Sequence, residues 1–538
     1  MARPISGAAV TTTDHARPTG LTLSAVGLAH DLVAEMMRDP PGRTSPSIYE
    51  TARVVSLAPW LVGHADRVRY LLDTQRTDGC WGPPGGYALV PTLSAAEALL
   101  TVLRSPSPVN TPDLVRAADR ALHGLTVLLD DPAPLPDTPA VDLIVPALVD
   151  SLNQHLDHLA GSPAVPSGWL GRRLRPPRGM TRERLDAVRR LVAAGAPVPD
   201  KLWHALEVLP DLARSASGVA PLFPGTVGAS PAATAAWLGT PHRPDGRQAL
   251  AHLEETVRRY GGPVPCATPI TVFERAWVTA TLAKAGIHVA ASPGLVESLT
   301  ATLGPAGTPT GPGLPADADT TAVTLFALSK IGIPVSPDCL FHFETGDGFC
   351  TWPGEDGFSV TTNAHVLDAL GQHAAVHHKP EHRYRVAVDR LVTALQERQE
   401  ADGSWSDRWH ASRFYATACC VTALAEVGPS PLVSASLAAA ADWVLATQRT
   451  DGSWGNWDGT TEETAYAVQI LIASGRRSPA VIDAVRRGHA HLRQDDGRDG
   501  PALWHDKDLY QPVRIVSAAV LAAQHQAHAL MDALPEGA

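Results

Sequence analysis

A recurring turn dictates the architecture of this chain, and its clearest copy is Gln448-Arg449-Thr450-Asp451-Gly452-Ser453-Trp454-Gly455. Two further copies of the pattern Gln-x-x-x-Gly-x-Trp begin at Gln75 and Gln399. A glycine at this point allows the helix before it to end in a left-handed residue. We expect the Trp to pack on the preceding helix and the Gln to bond the N-terminus of the next one. Repeated units of this kind stack on their neighbours, so the pattern predicts an all-α protein.

Length, charge and composition exclude several classes of protein for this chain. A chain of 538 residues is too long for one ordinary core, so we expect two or more domains. A net charge of −11 without a long basic run argues against nucleic-acid binding. The six cysteines form no Cys-x-x-Cys pair, and the sequence has neither an apolar signal segment nor an apolar run of about 18 residues. These features predict a cytoplasmic protein without stable membrane anchoring.

A pair of carboxylates stands at one loop-to-helix junction, in Asp317-Ala318-Asp319-Thr320-Thr321-Ala322. A breaker-rich run precedes the motif and an apolar helical segment follows it. The helix N-terminus favours the anion of one carboxyl group, while two such groups so close together resist ionising together. A protonated carboxyl group beside an anionic one is a positioned acid. The alternative is that the motif only caps the helix.

Several blocks, taken in their order, resemble the class II terpene cyclases, the proton-initiated prenyl cyclases related to squalene–hopene cyclase. The acid motif resembles that family's Asp-x-Asp-Asp, in a bacterial Asp-x-Asp-Thr-Thr variant. The turns with the pattern Gln-x-x-x-Gly-x-Trp, here called Gly-Trp turns, are similar to the family's repeats. The other blocks are Ser47-Ile48-Tyr49-Glu50-Thr51-Ala52, Val141-Asp142-Leu143-Ile144-Val145-Pro146-Ala147-Leu148, Phe273-Glu274-Arg275-Ala276-Trp277 and Trp504-His505-Asp506-Lys507-Asp508-Leu509-Tyr510.

The resemblance implies a fold of two (α/α) barrels, called the β and γ domains in that family. We expect residues 1–62 and 306–538 to form the β domain, with the γ domain inserted as residues 63–305. The substrate cavity is then expected between the two barrels, since ligand sites often lie at domain interfaces.

The resemblance also implies the reaction, in which an acid protonates the terminal alkene of a linear prenyl diphosphate and rings close with the diphosphate retained. Asp319 matches the family's proton donor, and Asp317 is expected to control its protonation and orientation. Thr320 replaces a third Asp of the commoner motif and is expected to support it by hydrogen bonding. Asn363 resembles the Asn that bonds the donor in related cyclases, or else is an ordinary N-cap. We expect His365 to be a core or rim histidine.

Carbocations require cavity walls that do not react, and aromatic faces stabilise positive charge without attacking it. The candidates, each of which is equally compatible with a place in the core, are Trp277, Phe349, Trp352, Trp409 and Tyr415.

The diphosphate group requires cations. Arg413 and Lys507 lie near basic positions of the family, although either is compatible with an ordinary solvated charge. The resemblance implies Mg²⁺ as the cofactor, and carboxylates are its usual protein ligands. Glu50 and Asp142 are weak candidates for that role.

Geranylgeranyl diphosphate, giving a labdane- or halimane-type bicyclic diphosphate, is the expected substrate, and conversion of farnesyl diphosphate to drimenyl diphosphate is the alternative. A downstream phosphatase or class I synthase is a candidate partner in either case. A non-catalytic α-toroid binding protein would keep the Gly-Trp turns without needing Asp319. A toroid like the prenyltransferase β subunit would need a zinc site, for which no pattern is evident.

One further motif resembles the metal site of class I terpene synthases, Asp495-Asp496-Gly497-Arg498-Asp499. Only 39 residues follow it, too few for a class I helical domain. We therefore expect no bifunctional enzyme.

Overall fold

The computed structural model describes residues 20–104, 111–160, 162, 165–355, 357–377, 381–494 and 500–534. The class I-like motif lies outside the described residues. The helices are α1 (Gly20–Arg38), α2 (Ile48–Leu57), α3 (His64–Asp73), α4 (Leu89–Leu103), α5 (Thr111–Asp130), α6 (Val141–Leu159), α7 (Glu183–Ala193), α8 (Pro210–Ala213), α9 (Pro231–Leu238), α10 (Arg247–Tyr260), α11 (Thr271–Lys284), α12 (Pro293–Thr300), α13 (Ala318–Lys330), α14 (Val360–Val376), α15 (His382–Glu397), α16 (Arg413–Val427), α17 (Pro431–Thr447), α18 (Thr461–Ala473), α19 (Pro479–Leu492) and α20 (Val513–Asp532).

Short elements complete the described structure. The 3-10 helices are Ser167–Trp169, Asp200–Val208 and Pro337–Phe343, and the strands β1 (Trp504–His505) and β2 (Leu509–Tyr510) form an antiparallel hairpin. The all-α prediction is therefore confirmed. None of the described helices is both long and apolar enough to cross a membrane.

A larger barrel is closed by six inner helices that pack side by side in the order α11, α13, α14, α16, α18 and α20, with α20 returning to α11. The helices α1, α12, α15, α17 and α19 pack around this ring. Successive inner helices run in the same direction because an outer segment returns the chain between them. Their N-termini, including that of the acid-bearing α13, therefore gather at one end of the barrel.

A smaller barrel has an inner ring of α2, α4, α6, the 3-10 helix Asp200–Val208 and α9, which closes against α2. It has its own hydrophobic core, with members from Tyr49 to Val264. The prediction of two (α/α) barrels is thus confirmed.

The two cores divide the chain differently from the boundaries expected at residues 62 and 305. α2 lies in the segment predicted for the larger barrel, yet its residues pack in the smaller core. α11 and α12 lie in the predicted insert, yet they pack in the larger core together with α1. The reason is ring closure: α11 fills the place between α13 and α20, so the larger ring is incomplete without it.

The Gly-Trp turns join neighbouring helices through the same hydrogen bonds in every described copy. In the copy at Trp454, the indole N–H donates to the Val444 carbonyl at 2.8 Å and the backbone N–H donates to the Thr464 hydroxyl at 3.0 Å. Gln448 donates to the Gly452 carbonyl and to the Ala484 carbonyl, both at 3.0 Å. The Gln thus bonds a carbonyl inside the following outer helix, α19, and not the N-terminus of the next helix as expected. The turns at Trp81 and Trp405 repeat these bonds.

Two glycines with positive φ provide a test of this role. Gly452 (φ +86°) lies in the turn, where an added Cβ would come within 2.9 Å of the Arg487 carbonyl oxygen. Gly475 (φ +72°) has no atom within 4 Å of that position. We expect Gly475→Ala to lower the free energy of unfolding by about 1 kcal/mol through backbone strain alone. Gly452→Ala should lower it by roughly 2–4 kcal/mol, because a steric clash adds to the strain. Urea denaturation measures the free energy of unfolding of both variants. Equal losses would contradict the role of the Gly452 turn in joining neighbouring helices.

Candidate active site

Asp317 forms the start of α13. Its backbone is extended, and its Oδ1 accepts the Thr320 N–H at 2.6 Å, as expected of an N-cap. Its Oδ2 accepts the Thr310 hydroxyl at 3.0 Å, and the Thr310 and Thr320 hydroxyls are 2.8 Å apart. Asp317 and Thr320 therefore fix the first turn of the helix that carries Asp319. The capping interpretation is correct for Asp317, and it leaves the acid interpretation of Asp319 intact.

Asp319 meets a histidine from the neighbouring inner helix. Its Oδ1 lies 2.6 Å from Nδ1 of His365 on α14, and the two side chains are 17% and 11% exposed. Nε2 of His365 lies 3.6 Å from the Cys419 thiol on α16. Asp319 Oδ2 makes no hydrogen bond with any residue that the structure describes. The carboxyl group thus has one oxygen held by His365 and one free to carry a proton.

The electrostatics of this pair favour a charged His365. Burial opposes protonation of the imidazole, but the carboxylate of Asp319 and its hydrogen bond outweigh burial and hold the pKa of His365 well above its usual range. Burial also raises the pKa of Asp317 to about 7; hydrogen bonds to its carboxylate oppose this rise, and the nearby charge of Asp319 adds to it. Asp317 is therefore partly protonated near neutral pH.

Asn363 does not contact Asp319. Its side chain accepts the Phe349 N–H at 2.8 Å and donates to the carbonyls of Phe349 and Ser359 at 2.9 and 2.8 Å. It is not an N-cap either, because Ser359 caps α14. Both expectations for Asn363 are therefore wrong, whereas His365, which was expected to be a core or rim histidine, contacts Asp319 directly. Residues two apart on a helix point about 200° away from each other, so only one of these positions can face α13.

Two predicted aromatic residues lie beside the acid pair. Trp277 packs edge-on against His365, with ring centroids 5.5 Å apart, and its indole N–H donates to the Tyr415 hydroxyl at 3.2 Å. A cavity of about 100 Å³ inside the ring touches all three residues. Trp277 and Tyr415 therefore lie where a cation formed near Asp319 would need aromatic faces.

An aromatic layer that was not predicted from the sequence continues from Tyr415. Trp504 and His410 have ring centroids 4.7 Å from that of Tyr415, and Tyr466 lies at 5.3 Å. Glu462 Oε1 accepts the Trp504 indole N–H at 2.7 Å and the Tyr466 hydroxyl at 3.1 Å. One signal was present in the sequence, since Trp504 opens one of the blocks that resemble the family.

The remaining predicted aromatic residues lie elsewhere. Trp352 and Trp409 pack edge-on at 5.4 Å, and Nζ of Lys201 from the smaller barrel lies 5.7 Å from the Trp352 ring centroid. The structure thus places this pair where the barrels meet. Neither indole N–H has a hydrogen-bond partner among the described residues. Phe349 is 1% exposed and packs on Phe341 in the core, which is the alternative that the sequence left open for it.

Arg413 does not offer a free charge to a diphosphate. It lies beside the Gly-Trp turn of Trp405, where its guanidinium pairs with Glu400 at 2.6 Å and with Asp402 at 2.9 Å. The charge is already neutralised by these two carboxylates. The prediction that Arg413 binds the diphosphate is therefore not supported by its surroundings.

Lys507 is fully buried in an ion cluster between the barrels. Its Nζ pairs with Glu50 and lies 2.9 Å from Glu207, and it donates to the His204 carbonyl at 2.6 Å. Burial raises the pKa of Glu50 to about 7, although the charge of Lys507 opposes that rise. The cluster joins the β1–β2 hairpin of the larger barrel to the smaller barrel. Lys507 is thus a structural cation, and its predicted contact with the diphosphate is wrong.

The proposed magnesium ligands do not fit a metal site. Besides Lys507, Glu50 accepts the Ser230 hydroxyl and the Ala232 N–H, so its oxygens are occupied. Asp142 pairs with Arg184 at 2.7 Å on the surface. Within the described ranges, no three His, Cys, Asp or Glu side chains converge as metal ligands would.

Comparisons with known proteins give a consistent result. The C-terminal domain family of squalene-hopene cyclases matches residues 355–512. The ent-copalyl diphosphate synthase of Streptomyces sp. (strain KO-3988) is 44% identical over 514 residues, which cover 94% of this chain and 97% of that protein. The labda-7,13-dienyl diphosphate synthase of Streptomyces clavuligerus is 44% identical over 508 residues, or 92% of each chain. The solved structure of ent-copalyl diphosphate synthase from Streptomyces platensis has a TM-score of 0.90 at 43% identity, covering 94% of this chain and 100% of that one.

The raised pKa of Asp317 predicts a pH dependence of stability. The pKa is about 7 in the folded protein and about 4 in an unfolded chain, so the folded state holds this proton more tightly. Stability from this group is therefore greatest at low pH and falls by about 1.4 kcal/mol per pH unit as the pH rises from 4 to 7. Asp317→Asn keeps a capping oxygen but does not titrate.

We expect the free energy of unfolding of the wild type, relative to Asp317→Asn, to fall between pH 5 and pH 8. Urea denaturation at both pH values measures this difference. A difference that stays constant would show that Asp317 is ionised throughout.

Proposed function

We propose that the chain, which belongs to the bacterial class II terpene cyclases, cyclises geranylgeranyl diphosphate to a labdane-type bicyclic diphosphate. The observation that carries the proposal is the 2.6 Å contact between Asp319 and His365 beside Trp277 and Tyr415. The alternative of a non-catalytic toroid is set aside, since two relatives that are 44% identical over more than nine tenths of this chain are synthases. Farnesyl diphosphate stays the second candidate substrate, less favoured because those relatives are named for copalyl and labdadienyl products.

The first chemical step is proton transfer from Asp319, in the form of the pair that carries a proton on Oδ2 while His365 donates to Oδ1. The π electrons of the terminal alkene take the proton from Oδ2, and a tertiary cation forms at the adjacent carbon. His365 donates from Nδ1 to Oδ1, so it stabilises the carboxylate that remains and makes the acid stronger. Burial of the pair excludes water, which would otherwise take the proton in place of the weakly basic alkene.

Ring closure moves the positive charge along the prenyl chain. Trp277, Tyr415 and Trp504 present aromatic faces that stabilise this charge without forming a bond to it. A final proton loss leaves an alkene, and the diphosphate is retained. The product thus needs a further enzyme that hydrolyses or ionises the diphosphate, for which a phosphatase or a class I synthase is the expected class.

We propose that Mg²⁺ binds together with the diphosphate of the substrate. Glu50 and Asp142 are already paired with Lys507 and Arg184, so neither is proposed as its ligand. Bound Mg²⁺ would neutralise phosphate charge. Trp352 and Trp409, with their unpaired indole N–H groups at the junction of the barrels, are proposed to donate to the substrate there.

Three variants separate the roles of the polar residues. Asp319→Asn should lower kcat roughly 10³-fold, because it removes the general acid. His365→Ala should lower kcat by roughly 10- to 100-fold and shift the pH–rate profile, since it removes a hydrogen bond to a charged group. Asn363→Ala, the control on the same helix, should lower stability but leave kcat per folded molecule within a few-fold.

Steady-state kinetics, with folded protein quantified by circular dichroism, make this comparison. The assignment of His365 fails if His365→Ala and Asn363→Ala have the same effect on kcat.

The substrate is tested by incubating the purified protein with Mg²⁺ and either geranylgeranyl or farnesyl diphosphate. Products are dephosphorylated and analysed by gas chromatography–mass spectrometry. We expect a bicyclic C20 alcohol from the first substrate, which is lost in Asp319→Asn. A bicyclic C15 alcohol formed with higher kcat/KM would replace the proposed substrate with farnesyl diphosphate.

A further inference from the structure

A second cavity lies entirely within the smaller barrel. Its volume is about 480 Å³, compared with about 100 Å³ for the cavity beside His365. Small-molecule sites usually have volumes of roughly 300–1,000 Å³. One wall is the stretch of α6 from Ile144 to Asp157, and the inner end is formed by α2 and the 3-10 helix Asp200–Val208. None of its lining residues comes from the larger barrel, so it is separate from the site around Asp319.

Arginines line the outer part of this cavity. Arg173 pairs with Asp157 at 2.8 Å, and Arg182 pairs with Asp150 at 2.6 Å. Arg189 also lines the cavity, but it makes neither an ion pair nor a side-chain hydrogen bond with the part of the chain that the structure describes. Guanidinium groups bind phosphate through parallel N–H donors. Arg189 is therefore a guanidinium without an ion pair, beside two that are paired, and Asp211 is a lining carboxylate that likewise has no ion pair among the described residues.

The inner end of the cavity has an unpaired acceptor. Glu207 is fully buried, and its Oε1 accepts the Tyr49 hydroxyl at 2.8 Å and the Lys507 ammonium at 2.9 Å. Its Oε2 has no hydrogen-bond partner among the residues described. A buried carboxylate oxygen without a donor is unfavourable. Arg53, which also lines this end, donates to Glu97 through Nη1.

We propose that this cavity binds a small phosphate ester that also carries a hydroxyl group. The phosphate lies on Arg189 with the two paired arginines beside it, and the hydroxyl points towards Glu207. The charges of the lining set this polarity, since an unpaired cation is at the outer end and an unpaired acceptor at the inner end. Charged side chains make up much of the wall, which argues against a prenyl chain as the occupant.

The test uses the full-length protein and glycerol 3-phosphate as the probe, titrated to millimolar concentration by isothermal titration calorimetry. We expect saturable binding at one site, and weaker binding of methyl phosphate, which has no hydroxyl group. Arg189→Ala should weaken binding about tenfold or more, because it removes a charged hydrogen-bond donor. Arg190→Ala is the matched control, since it removes the same charge from the next residue of α7 outside the cavity. Arg189→Lys should have an intermediate effect, because it keeps the positive charge but loses the parallel N–H donors of the guanidinium group.

The outcomes are distinct from those of the cyclisation assay, because both Arg189 variants should retain turnover of geranylgeranyl diphosphate. Absence of saturable binding to the wild type would overturn the proposal. So would equal binding by Arg189→Ala and Arg190→Ala, which would mean that the probe binds elsewhere. Binding of L-glutamate with no binding of either phosphate probe would reject phosphate as the ligand class.

Discussion

The contact between Asp319 and His365 exists because α13 and α14 are adjacent members of a closed ring. Neither helix alone places a donor beside the acid, and a small rotation of either would separate the two side chains. Asp317 fixes where α13 begins, and Ser359 does the same for α14. The Gly-Trp turns at Trp81, Trp405 and Trp454 bind the units on either side of them by backbone and side-chain hydrogen bonds. The acid chemistry thus depends on contacts that are themselves purely structural.

A buried set of charges fixes the second barrel against the first. Besides Lys507 with its two carboxylates, Asp506 accepts from His204 at 2.8 Å, and Asp508 accepts the Ser47 hydroxyl at 2.6 Å. Burying these charges costs desolvation energy, and pairs of this kind often contribute more to geometry than to net stability. Here the geometry includes Trp504, since the same hairpin carries it into the aromatic layer. This explains why Lys507 and Glu50, which resemble functional positions by sequence, have no charge left for a ligand.

The sequence was sufficient for features set by local spacing. The Gly-Trp turns predicted stacked helices, and the acid motif predicted a capped helix start; both depend on residues close together in the chain. Ring membership depends on contacts far apart in the chain, so the domain boundaries were misplaced around α2 and α11. The choice between Asn363 and His365 also required the rotation of α14, which no short motif specifies. Arg413 was chosen for its charge, and its partners in the neighbouring turn appear only in three dimensions.

An enzyme that generates carbocations must also restrain its own nucleophiles. The layer around Tyr415 does this through the orientation of its polar groups. The indole N–H of Trp504 and the hydroxyl of Tyr466 both donate to Oε1 of Glu462, so that oxygen is engaged and the indole is fixed in orientation, whereas Oε2 has no partner among the described residues. Likewise, the Tyr415 hydroxyl accepts from Trp277. Lone pairs of Glu462 Oε1 and of the Tyr415 hydroxyl are thus used to orient the rings. The hydrogen bonds that hold the aromatic layer in place therefore also help to prevent capture of the cation before the rings close.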